Sequence, residues 1–155
     1  MRKIIVVVVL MMFTLSCKQQ KEEIINNKYE PVTFKELDSV NSKSIIEIKE
    51  YLKKKGFVFL TKQSDSEQWK LENKDDIIQF NGEGILLYLT TDKNASNSIV
   101  KQLKESNYNY TGKSNKDGTD VDSYSKENQT LLVSTLIYPE TNQNVYSFTF
   151  LNRTN

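Results

Sequence analysis

The strongest constraint on this chain is that its second half runs through the same order of elements as its first. Ser44-Ile45-Ile46-Glu47 is a capping box that opens a helix over residues 44–55. Ile45, Ile48 and Leu52 form the apolar stripe of that helix, and Gly56 supplies its left-handed stop. Strands are predicted at 57–61, 68–72, 77–80 and 85–90, separated by turn residues at 64–67, 73–76 and 81–84. Then the order restarts. Asp92 caps a helix with Ala95, Ile99 and Leu103 on one stripe, ending near Asn107, a residue that tolerates the left-handed conformation. Laid over the first helix, Ile48 falls on Ile99, Leu52 on Leu103, Phe57 on Tyr108, Phe59 on Tyr110 and Trp69 on Tyr124. Asn115-Lys116-Asp117-Gly118 takes the place of the earlier turn, and strands follow at 131–138 and 145–150. Few identities accompany this match, so it is a duplication of pattern more than of sequence.

A helix followed by about four antiparallel strands, twice over, predicts an α+β fold: two tandem helix-plus-antiparallel-sheet units with the helices on one sheet face. The units span about 42–91 and 92–152, inside a domain of 33–155. Thr33-Phe34-Lys35-Glu36 is a further capping box, with Phe34, Leu37 and Val40 marking a short helix ahead of the first unit. One saddle-shaped sheet and two separate sheets are equally compatible with the pattern. The element order resembles the β-lactamase inhibitor protein architecture, a saddle of tandem helix-plus-four-strand units. It is also similar to that of small outer-membrane assembly lipoproteins. These likenesses rest on element order alone. The inhibitor family's cysteines are missing here, and no inhibitory contact residue can be carried over.

The first 17 residues carry a different message. Arg2 and Lys3 precede an apolar run from Ile4 to Leu15, followed by Ser16 and Cys17. A basic start, a short apolar core and a small residue before the cut form a secretory signal. With cysteine at the cleavage position, the stretch resembles the bacterial lipoprotein signal, of the shifted kind seen in Bacteroidetes: Thr14 stands where Leu is usual, and Leu15 follows one place late. The apolar run is about 12 residues, against the ~20 that a membrane-spanning helix needs. The resemblance implies removal of residues 1–16 as a signal peptide and lipidation of Cys17, which makes Cys17 a tether. Residues 17–32 then read as the lipidated Cys with a flexible, polar linker. The membrane is the first expected partner, through the acyl anchor. In enterobacterial lipoproteins an Asp directly after the Cys favours inner-membrane retention, so Lys18 in that place implies the outer membrane. Lys21-Glu22-Glu23 resembles the signal of surface-exposed Bacteroidetes lipoproteins, and it reads equally well as a solvated charged linker.

Composition narrows the chemistry. The chain has no His, and Cys17 is its one Cys. Ser-His and Cys-His nucleophiles, His-based zinc sites and intrachain disulfides are therefore all excluded. Of 21 basic residues Arg2 and Lys3 fall in the signal, leaving 19 against 20 acidic. Such a balance gives no electrostatic reason for nucleic acid as a partner. No phosphate-cradling glycine loop is present, and no cofactor is implied. Asp117 to Asp122 offers alternate acidic residues, but Asn128 stands where a calcium loop would place its closing Glu. That stretch reads instead as a hairpin turn followed by strand residues Asp120 and Asp122 facing outward. Asp75-Asp76 would be the carboxylate pair of a glycan hydrolase only if both faced one bond, and neighbours in a strand or turn point apart. Asp38-Ser39-Val40 matches a short O-glycosylation acceptor of Bacteroidetes, a motif common by chance.

The aromatics are the better clue. Tyr108, Tyr110 and Tyr124 recur at strand positions of the second unit, with Phe57, Phe59 and Trp69 as their counterparts in the first. They either pack the sheet against the helices or present a bare sheet face to a protein partner. The functional expectation is a lipid-anchored envelope protein, not an enzyme, that binds another protein as an inhibitor, an immunity-type protein or an accessory subunit. The alternative is a carboxylate-dependent envelope hydrolase acting on glycan or peptide.

Overall fold

A computed structural model describes residues 30–138 and 140–152. The expected signal peptide, Cys17 and the expected linker up to residue 29 lie outside the described residues. The fold is α+β. Helix α1 (Phe34–Asn41) comes first. Helix α2 (Ile45–Lys54) then leads into strands β1 (Phe57–Gln63), β2 (Ser66–Leu71), β3 (Ile77–Phe80) and β4 (Ile85–Thr90). Helix α3 (Lys93–Lys104) leads in the same way into β5 (Asn109–Lys116), β6 (Thr119–Lys126), β7 (Gln129–Tyr138) and β8 (Gln143–Asn152).

Both meanders belong to one antiparallel sheet of eight strands, ordered β1-β2-β3-β4-β8-β7-β6-β5. The last strand of each meander makes the join, with Leu86 opposite Phe150 and Tyr88 opposite Phe148. The three helices pack on one face.

Local chemistry explains the element ends. Thr33 and Ser44 form reciprocal capping boxes with Glu36 and Glu47. Asp92 Oδ1 accepts from the backbone N–H groups of Asn94 and Ala95. Gly56 closes α2 at φ +84°, where a side chain would be strained. Two ends differ from the sequence expectation. Helix α3 stops at Lys104 without a left-handed Asn107, because Ser106 folds back and its hydroxyl donates to the Leu103 carbonyl at 2.6 Å. Ser66 and Glu67 belong to β2 instead of a turn: Ser64 takes φ +53°, so the chain reverses two residues earlier.

The core lies between the helices and the inward rows of β1 to β4, β7 and β8. Leu37, Leu52, Ile99 and Leu103 from the helices meet Ile78, Leu86, Tyr88, Leu131, Phe148 and Phe150 from the sheet, all essentially sealed from solvent. A carboxylate is built into it. Asp76 is buried and accepts from Tyr88 Oη at 3.0 Å and from Thr90 Oγ1 at 2.6 Å. Thr90 Oγ1 in turn accepts from the Asp92 N–H, fixing the start of α3 to the sheet.

Candidate functional site

The helices are fewer than the strands they have to cover, and this decides which surfaces stay open. Helices α2 and α3 pack against β1 and β4, while α1 bridges the other two helices and β4. The helix-side surface of β5, β6 and the far end of β7 therefore extends beyond them.

The four aromatics singled out in the sequence separate on this map. Trp69 lies on the helix side of β2 at 5% exposure, edge-on to Phe59, with its indole N–H donating to Glu67 at 3.4 Å. Tyr108 is 7% exposed and sits edge-on to Phe34. Its hydroxyl donates to Asp38 at 2.8 Å and lies 2.6 Å from the Gln129 side-chain amide, while Lys126 Nζ pairs with Asp38 at 3.1 Å. Burial and the Asp38 carboxylate both push the Tyr108 hydroxyl far above its ordinary pKa. Both residues tie the core together and present nothing to a partner. The bare face expected to show Tyr and Trp is not where these residues stand, since all four are on the helix side.

Tyr110 and Tyr124 are brought together. They sit directly opposite each other on β5 and β6, with ring centroids 5.3 Å apart at 67°. Tyr110 is 56% exposed, and Tyr124 leans against the core margin. The hairpin that holds them is specified locally. Asp117 and Gly118 both take positive φ, as a primed two-residue turn requires, and Asn115 Oδ1 accepts from the Gly118 N–H at 3.2 Å. A bulge between Tyr110 and Gly112, with Gly112 at φ +143°, twists this edge of the sheet.

Polar groups surround the pair. Tyr110 Oη donates to Asp122 Oδ1 at 3.3 Å, and Lys113 Nζ holds Asp120 at 2.6 Å. The ion-paired hydrogen bond from Lys113 lowers the Asp120 pKa; desolvation, with Asp122 next, raises that of Tyr110. Asp120 and Asp122 also border an open hollow of about 410 Å³ completed by Gly118, Thr119, Val133, Ser134 and Thr135. The result is a shallow strip of aromatic rings, carboxylates and hydroxyls on rigid strands. Sequence reasoning picked out the tyrosines but not Lys113, Asp120 and Asp122 as their setting; the shared parity of 120, 122 and 124 on β6 was the available signal.

The two carboxylates weighed as a hydrolytic pair do diverge. Asp75 is exposed and faces Lys70 at 3.1 Å, while Asp76 turns into the core. Among the described residues no group of three His, Cys, Asp or Glu gathers to hold a metal ion, and no helix is long and apolar enough to cross a membrane. No protein-family model matches the chain, and no curated protein or solved structure matches it either.

Proposed function

We propose that this chain is an envelope lipoprotein, tethered through Cys17, that works by binding a protein partner on the strip around Tyr110 and Tyr124. The observation that carries the reading is the Tyr110–Tyr124 pair, which stands on the sheet beyond the helices instead of under them. Tyrosine buries a large area with few rotatable bonds, so a fixed pair of rings is an economical anchor for an interface. Asp120, Asp122 and Lys113 supply directional polar contacts around it. The shallow hollow suits a protruding loop better than an enclosed small molecule.

Site-specific photo-crosslinking in the native envelope tests this. With p-benzoylphenylalanine in place of Tyr110, one discrete adduct with another protein is expected. The same group in place of Lys93, at the start of α3, should not give it. Tyr110→Ala together with Tyr124→Ala should weaken that partner's binding at least ~10-fold, the scale of losing one hot-spot residue. Equal labelling from both positions would exclude the strip as the binding site.

A further inference from the structure

The other face of the sheet carries a second message, independent of the tyrosine strip. Strand registers place residues 77 and 79 of β3, 85, 87 and 89 of β4, and the matching residues of β8, β7 and β6 on the side away from the helices. Among these described residues none is charged, from β3 across to β6, although a quarter of the chain is charged (26%). The helix side of β6 alone carries Asp120, Asp122, Tyr124 and Lys126. The centre of the outer face is aliphatic: Ile77 beside Leu89, then Leu87, and Leu132 beyond the small Thr149. Strand β4 is thus apolar on both faces, the pattern of a strand covered on both sides.

We propose that a second copy of this chain covers that face, the two sheets packing back to back about a twofold axis with the helices outermost. Three features select this occupant. A twofold axis sets each surface against itself, so a charge near it would meet its own copy; this face has none to meet. Its centre also lacks the Trp, Tyr and Arg anchors that mark recognition of a different protein, and offers flat aliphatic and hydroxyl rows of the kind that interdigitate in sheet sandwiches. Finally, the area is sufficient. Five strands at about 4.8 Å spacing, averaging about 25 Å in length, give roughly 600 Å² in projection and more as corrugated surface. A standard interface takes about 600–1,000 Å² from each partner. Paired in this way, the dimer leaves both tyrosine strips facing outward and free.

The test uses the full chain in its own envelope, with p-benzoylphenylalanine in place of Leu87. Irradiation should give an adduct of twice the chain's mass in which every peptide maps to this sequence. Thr149→Lys, and separately Leu87→Lys, should reduce chemically cross-linked dimer at least tenfold while leaving Trp69 fluorescence and urea unfolding of the monomer in place. An adduct with a different protein overturns the second-copy assignment, and so does the absence of any adduct from position 87. Two lysine variants that both remain dimeric overturn it as well. Capture from position 110 is read separately, so loss of either proposal leaves the other standing.

Discussion

Two adjacent aspartates make a sharp test of how the core is held. Asp76 is 3% exposed and accepts from the hydroxyls of Tyr88 and Thr90, residues with no exposed surface. Asp75, one residue earlier, faces solvent and pairs with Lys70. Asp76→Ala removes the acceptor from two buried hydroxyl donors, and each such loss costs about 1–3 kcal/mol. The expected destabilisation is about 3 kcal/mol, a large part of the ~5–15 kcal/mol that holds a domain folded. Asp75→Ala removes an exposed ion pair worth about 0.2–1 kcal/mol. Trp69, the single Trp and a core residue, reports unfolding directly by its fluorescence in urea. With a slope of about 1.5 kcal/mol per molar, Asp76→Ala should lower the midpoint by about 2 M and Asp75→Ala by no more than about 0.7 M. Adding Tyr88→Phe and Thr90→Val to Asp76→Ala should recover part of the loss, because the two hydroxyls that donated to the carboxylate are then gone with it. Equal midpoints for the two single variants would refute the argument.

Two further outcomes follow from the charges and the signal. Glu67 is held below the ordinary carboxylate range mainly by its ion-paired hydrogen bond with Lys49 at 2.7 Å, burial opposing this. Its folded pKa is below its unfolded one, so its contribution is complete above the unfolded value near 4.5 and is lost as pH falls through the folded value. Urea midpoints measured from about pH 6 to about pH 3 should therefore fall, and Glu67→Gln should flatten that fall; an unchanged profile would remove Glu67 as its source. For the tether, Cys17→Ser should shift the protein from the membrane fraction to the soluble one and abolish labelling by a fatty-acid analogue. A variant that stays membrane-bound and processed like the parent would show that Cys17 carries no lipid.

How far the sequence led depended on whether a feature was local. Capping boxes at Thr33 and Ser44, the Gly56 stop and the Asp117-Gly118 turn are decided by a few adjacent residues, and the element order could be read from them. The continuous sheet is decided elsewhere, by the pairing of β4 with β8 across the 52 residues between them (91–142), and no local pattern encodes that join. The same limit hid the roles of the aromatics. Trp69 and Tyr124 occupy matching places in the two meanders, and period-two alternation puts each on the helix side. Their fates diverge because the three helices cluster over β1 and β4, with α1 reaching β8 through Phe34 and Asn41, and leave the far edge uncovered. The charge-free face was invisible for the opposite reason. Its residues are scattered over five strands, aliphatic on β4 and mixed with hydroxyl or amide side chains on the others, and they become one surface only when the registers align them. A surface of that kind is assembled by topology. Its freedom from charge runs across strands of both meanders, which suits the back-to-back packing proposed for it.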